Sequence, residues 1–191
     1  MKRALLVIDV QKIYTDKTSE YYVENQAEII TNINRLIEKY EKDSLIVYIA
    51  HKNKFDGSDS GRMYDFAGDC GDVEFVEGSA SVEYDSKLKL KKGEHIVKHK
   101  YDSFVGTKLY EVLKKNEIEK VIVVGFMTNF CCESTARSAH DLDFYVDFVK
   151  DATGTPGTAE CAPEMLIETT CSNISAGFGK VVTTEDLLKI M

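Results

Sequence analysis

Two rhythms of apolar and polar positions divide the chain. Short continuous apolar runs mark strands buried on both faces, whereas apolar positions three and four apart mark helices. Residues 4–8 form such a run and predict a first strand that ends at Asp9. Ile29, Ile30, Ile33, Leu36, Ile37 and Tyr40 then share one helical face, and residues 45–50 predict a second strand. From 52 to 95 the chain turns polar and irregular, punctuated by Gly57, Gly61, Gly68, Gly71 and Gly78. Residues 96–97 are a short third strand, and Leu109, Val112 and Leu113 mark a helix. The strongest strand signal covers 121–127, followed by a helix rich in small residues over 131–142. A strand at 144–149, a helix after Pro163, a strand at 181–182 and a last turn at 185–190 complete the series.

Strands alternating with helices predict a three-layer α/β/α fold around a mostly parallel six-stranded sheet joined by right-handed crossovers. With the strand order 3-2-1-4-5-6, ligands belong outside the carboxyl ends of the first and fourth strands, where the winding reverses. Those ends carry Asp9 and the run from Gly125 to Cys131. A chain of 191 residues fits one domain, 1–191. An irregular stretch as long as 52–95 inside it is expected to serve function, as a wall shaping the substrate pocket.

Charge narrows the partners. The chain carries 24 basic and 32 acidic residues, a net charge of −8. A nucleic-acid binder needs clustered cations to neutralise phosphates. The one basic stretch, Lys87 to Lys100, alternates with Leu88 and Leu90 and reads as a solvated edge, so no nucleic-acid partner is expected. No apolar run approaches the ~20 residues that span a bilayer, so no membrane partner is expected either. The five apolar residues between Arg3 and Asp9 are too few for a signal-peptide core, and a cytoplasmic location is expected. The cysteines, Cys70, Cys131, Cys132, Cys161 and Cys171, form no C-x-x-C pair, and the four histidines give no zinc spacing.

Several chemistries fail residue by residue. The first strand is followed by Asp9-Val10-Gln11-Lys12, without the glycines that bring backbone close to a pyrophosphate. No phosphate-binding G-x-x-x-x-G-K-[ST] and no G-x-S-x-G serine elbow occurs. A cysteine nucleophile fits better. Cys131 falls at a strand-to-helix turn, where the helix N-terminus is expected to lower the thiol pKa. His140 is not its base: nine residues along a continuous helix put it on the opposite face, ~13 Å away. Asp9 offers a carboxylate for the thiol proton, and Lys98 a cation that keeps that carboxylate ionised. Plainer roles stay open on these grounds alone: Asp9 as a loop cap, Cys131 as an inert buried hydrophobe, and Lys98 as a surface lysine.

Three stretches, in order, resolve this choice: Ala4-Leu-Leu-Val-Ile-Asp9-Val-Gln11, then Val97-Lys98-His-Lys-Tyr101-Asp-Ser103-Phe104-Val-Gly106-Thr107, and Val124-Gly125-Phe-Met-Thr128-Asn-Phe-Cys131-Cys-Glu-Ser-Thr135-Ala136-Arg137. Together they resemble the isochorismatase-like cysteine hydrolases, a group that includes nicotinamidases, carbamoyl amidases and isochorismatases. The resemblance covers most of the chain outside 52–95. It implies a catalytic triad of Asp9, Lys98 and Cys131, and a cis peptide between Phe126 and Met127. The backbone N–H groups of Met127 and Cys131 would form the oxyanion hole.

The implied reaction is hydrolysis of a C–N bond in a small amide, carbamate or ureido substrate through a thioester. Tyr14 matches a pocket-lining aromatic position, and Arg62 in the irregular stretch is either a candidate for a substrate carboxylate or, more simply, a surface arginine. Nicotinamidases bind a metal through an Asp-x-His pair after the second strand. Here His51-Lys52-Asn53-Lys54 stands there, so neither a metal nor a cofactor is expected. Asp102 replaces a residue that is often small in the family, placing an acid where pocket polarity would change. Homo-oligomers are common in the family and one is expected here. Vinyl ether hydrolysis of isochorismate with Asp9 as the acid, a non-catalytic module and a redox sensor at Cys131-Cys132 remain alternatives.

Overall fold

The computed structural model describes residues 1–40, 44–65 and 74–190. Cys70, Gly68 and Gly71 lie outside them. The elements are β1 (Arg3–Ile8), α1 (Gln26–Lys39), β2 (Leu45–His51), β3 (Glu94–Lys98), α2 (Leu109–Lys115) and β4 (Lys120–Phe126). They continue as α3 (Glu133–Asp141), β5 (Tyr145–Gly154), α4 (Pro163–Gly177), β6 (Lys180–Val182) and α5 (Thr184–Ile190). The sheet has six strands in the order β3-β2-β1-β4-β5-β6, and every pairing is parallel.

Alternation along β1 explains the layers. Leu5 and Val7 point into a core shared with Ile29, Ile33 and Leu36 of α1 and Leu187 of α5. Ala4, Leu6 and Ile8 point the other way, into a core with Leu109 and Leu113 of α2, Ala136 and Ala139 of α3 and Ile174 of α4. Successive strand residues face opposite sides, so a strand covered on both reads as an unbroken apolar run. No described helix is long and apolar enough to cross a membrane.

Two elements differ from the sequence expectation. The helix expected over 131–142 is preceded by a π turn, Thr128–Cys132, and α3 begins only at Glu133. The fifth strand continues past the expected 149 to Gly154. Val123 pairs with Phe148 but Gly125 with Thr153, so β5 bulges between them. The bulge holds Lys150 and Asp151, whose polarity breaks the apolar run. Asp151 Oδ1 accepts hydrogen bonds from the backbone N–H of Thr184 (2.7 Å) and its hydroxyl (3.0 Å), fixing the start of α5.

Opposite the bulge, Gly125 has φ +121°, and a Cβ there would lie 1.8 Å from the Ile8 carbonyl oxygen. Backbone of β1 fills that space, immediately before Asp9. Gly125→Ala is expected to destabilise the protein by at least about 3 kcal/mol, measured as a lower midpoint in denaturant unfolding.

Candidate active site

Three strand ends converge at the carboxyl edge of the sheet. Asp9 leaves β1 with φ +50°, and its backbone N–H donates to Ile49 O at 2.9 Å. Lys98 is the last residue of β3, and Cys131 lies in the π turn after β4. With β2 between β3 and β1, a side chain as long as lysine spans the gap. Lys98 Nζ lies 2.8 Å from Asp9 Oδ2, and it donates to Cys131 Sγ (3.1 Å) and the Lys100 carbonyl (3.0 Å). The ammonium is thus held by one ion pair and two hydrogen bonds. Asp9 and Lys98 are fully buried, and Cys131 is 1% exposed.

Electrostatics at this cluster run against the simple helix-dipole expectation. Burial pushes the Cys131 thiol up to about 12, although Lys98 pulls the other way. Burial thus acts against the lowering that a helix N-terminus would supply. Burial also raises Asp9, opposed by the adjacent ammonium. Lys98 is pulled down by burial but lifted further by Asp9 and Cys131, and it ends above its ordinary range.

The surroundings hold these groups in place. Gln11 Nε2 donates to the carbonyls of His51 (3.0 Å) and Val82 (2.5 Å), while its Oε1 accepts the His51 N–H at 2.9 Å. That side chain ties the end of β1 to β2 and to the 80–82 turn. The Phe126–Met127 peptide is cis. Cys132 N–H reaches Met127 O at 3.1 Å, a span of five residues that makes the turn π. Ser103 N–H donates to Thr135 Oγ1 (3.1 Å), whose hydroxyl donates to Ser103 Oγ (2.8 Å), fastening the loop after β3 to α3. Asp102 joins the same fastening. Its carboxylate accepts from Phe104 N–H (2.8 Å) and Ser138 Oγ (2.5 Å), so it faces α3 and not the cavity.

Cys131 opens into a cavity of about 300 Å³, walled by Tyr14, Tyr21, His51, Tyr64, Glu74, Phe75, Tyr101, Met127 and Phe130 among others. Tyr14 stacks on Phe126 with ring centroids 5.5 Å apart. Met63, Tyr64, Glu74 and Phe75 come from the irregular stretch between β2 and β3. A larger groove of about 520 Å³ lies across the wall formed by Tyr21, Glu74 and Phe75, but Cys131 does not border it.

The Isochorismatase domain, as a family model, matches residues 3–186. The chain belongs to the isochorismatase family. It is 32% identical to Nicotinamidase 3 of Arabidopsis thaliana over 187 residues, 96% of this chain and 86% of that protein. A ureidoacrylate amidohydrolase from Caulobacter segnis is 33% identical over 112 residues, covering 58% of this chain and 45% of that protein. The crystal structure of a cysteine hydrolase from Pseudomonas syringae pv. phaseolicola superposes with a TM-score of 0.89 at 27% identity, covering 98% of this chain and 91% of that one.

In this isochorismatase-family hydrolase, the fold brings Asp9, Lys98 and Cys131 into contact and sets Tyr14 in the cavity wall. Arg62 is not among the described wall residues. Its side chain is 89% exposed and paired with Asp65 at 3.0 Å. Sequence reading did not single out Tyr21, Tyr64, Glu74 and Phe75, which carry no spacing signal, whereas Tyr101 stood unremarked inside a quoted motif.

Among the described residues, the positions after β2 do not offer the donor pair through which nicotinamidases bind a metal. Asn53, two residues past β2, donates from its amide to Tyr64 Oη (2.9 Å) and to the Glu74 carbonyl (3.3 Å). Asp9, His51 and Cys131 do bring donor atoms within 4.8 Å of one another. The Lys98 ammonium, however, already contacts two of these three groups, and a divalent cation among them would meet it at close range.

His51 stacks on Phe75 with centroids 4.5 Å apart, and burial depresses its pKa to about 2. It therefore stays neutral in the folded protein while the unfolded chain takes up a proton below pH ~6.5. The unfolded state then binds more protons, so stability falls as pH drops. The expected loss approaches ~1.4 kcal/mol per pH unit below about pH 6. Comparing unfolding free energies of the native protein and His51→Gln across pH 4.5–7 checks this, because the variant should lack that part of the slope.

Proposed function

We propose that this protein hydrolyses the C–N bond of a small amide-like substrate through a thioester on Cys131. The observation that carries the reading is the buried contact chain from Asp9 through Lys98 to Cys131 at the floor of a substrate-sized cavity. The nicotinamidase and amidohydrolase relatives agree with it.

Asp9 acts as the base. As the substrate carbonyl settles over Cys131, the thiol proton passes to Asp9 while Sγ bonds to the carbonyl carbon. The carbonyl electron pair moves to oxygen, which the N–H groups of Met127 and Cys131 receive as an oxyanion hole. Collapse of the tetrahedral adduct breaks the C–N bond, and Asp9 gives its proton to the departing nitrogen. Water then loses a proton to Asp9 and attacks the thioester. The C–S bond breaks, the acid leaves, and the proton returns to Cys131. The net change is amide plus water to acid plus ammonia or amine. Lys98 offsets the negative charge of Asp9 and lies beside the sulfur as it bonds to carbon, and the raised Asp9 suits a group that must both accept and return a proton.

Vinyl ether hydrolysis is less well served. Isochorismate carries two carboxylates, whereas the described cavity wall holds Glu20 and Glu74 and no lysine or arginine. Ammonia release from a panel of small amides, ureides and carbamates, run beside isochorismate consumption, tests the reading. Release by the native protein supports it; consumption of isochorismate with no ammonia from any member of the panel overturns it.

A further inference from the structure

Aromatic side chains and carboxylates gather in the wall of the cavity. The aromatic rings of Tyr21, Tyr64, Phe75, Tyr101 and Phe130 line it, with centroid separations of 6.0 Å for Tyr21–Phe75 and 5.2 Å for Tyr101–Phe130, and one face of Phe75 is taken by His51. Ring faces carry negative potential and attract ammonium groups, most strongly where water is excluded. Two carboxylates, Glu20 and Glu74, stand in the same wall. Glu74 is half-buried and accepts a hydrogen bond from the Tyr21 hydroxyl. Burial raises its pKa, and no lysine or arginine is among the groups acting on it.

No lysine or arginine is among the described residues lining the cavity. Lys98 is sealed beneath the floor on Asp9, Cys131 and a carbonyl, Arg62 pairs with Asp65, and Lys12 borders the neighbouring groove. At the chemical end, His51 is 1% exposed, its Nε2 has no partner in the protein, and burial keeps the ring neutral. A ring nitrogen of His51 lies within 4.8 Å of Cys131 Sγ. His51 thus borders the reacting end of the cavity, while the acidic, aromatic wall remains for the rest of the molecule.

We propose that the substrate is an amide bearing a positively charged amine or quaternary ammonium group, held by the ring faces and Glu74 while its carbonyl meets Cys131. The inference rests on reading Cys131 as an amide-hydrolysing nucleophile. Glu74 is the specificity-determining residue, because it is the half-buried charge that a bound cation would neutralise.

Three probes with one tether test it: 4-(trimethylammonio)butanamide, its uncharged carbon isostere 5,5-dimethylhexanamide, and glutaramate, which ends in a carboxylate. Their affinities are measured by calorimetry on Cys131→Ala, which cannot turn them over, and again on Cys131→Ala/Glu74→Gln. The expected result is binding of the cation about 30-fold tighter than the isostere, with glutaramate weakest. In the Glu74→Gln background that ratio should fall by about tenfold. Equal affinities, tighter binding of the carboxylate, binding of none of the three, or a ratio indifferent to Glu74→Gln overturns the inference. Ammonia release by the native protein is followed separately. A cation preference in binding, without Cys131-dependent release from any amide, overturns the hydrolytic reading while leaving the charge preference standing.

Discussion

Replacing Cys131 by alanine is expected to lower kcat/KM for hydrolysis by at least about 10⁴-fold, because the bond-forming atom is gone. The fold should persist. Cys131 sits at the cavity floor, and its loss leaves the Asp9–Lys98 pair intact at 2.8 Å. Cys131→Ser separates nucleophilicity from shape: the hydroxyl fills the site, yet its far higher pKa leaves Asp9 a poorer proton donor to work with. The serine variant should therefore be nearly as inactive as the alanine variant, while both unfold within ~1 kcal/mol of the native protein. Steady-state ammonia release and denaturant unfolding on the same preparations check both halves. An active alanine variant would remove Cys131 from the reaction.

Lys98→Met carries the largest expected cost in stability. The ammonium is buried with its carboxylate partner, and methionine keeps the length of the side chain while leaving Asp9 uncompensated. Breaking such a pair from one side costs about 3–5 kcal/mol, whereas removing both charges costs much less. Asp9→Asn/Lys98→Met should accordingly recover most of the lost stability, although neither variant should hydrolyse substrate.

The pH dependence has a definite sign. Lys98 is what opposes the upward pull of burial on Asp9, so without it the Asp9 pKa rises further. A carboxyl raised in the folded state binds protons that the unfolded chain has already lost, so stability falls as pH rises above the unfolded value. The defect of Lys98→Met should be smaller at pH 5 than at pH 8. Urea unfolding of the native, single and double variants at both values measures it, and equal defects would place the cost in packing.

Much of the fold was legible because its central strands are covered on both faces. The run at β1 and the longer one at β4 could belong only to a buried parallel strand, and the order of motifs placed Asp9 and Cys131 at neighbouring ends. β5 was cut short because its bulge puts Lys150 and Asp151 in the strand, where Asp151 serves α5 and leaves no apolar rhythm. Asp102 misled for a different reason. A sequence shows that a residue flanks a motif but not which way a loop turns it, and this carboxylate turns to Ser138.

The site divides along the same line. Asp9, Lys98 and Cys131 sit at element ends whose positions the strand order dictates. The upward push on the Cys131 thiol was not legible, since the helix end is visible in the sequence but the depth of burial is not. The wall around Tyr21, Tyr64, Glu74 and Phe75 depends on an irregular stretch folding back over the sheet edge. No periodicity encodes that path, so Arg62 was chosen there while the carboxylate facing the cavity was passed over.

The central claim is that Cys131 carries the acyl group, and peptide mass spectrometry after acid quenching tests it most directly. The native protein is mixed with an amide that it turns over, quenched during the first turnovers and digested. The account predicts a mass increase equal to the acyl portion of the substrate, confined to the peptide containing Cys131 and released by hydroxylamine. Continued turnover in Cys131→Ala, with the native Cys131 peptide unmodified at every quench time, would contradict it.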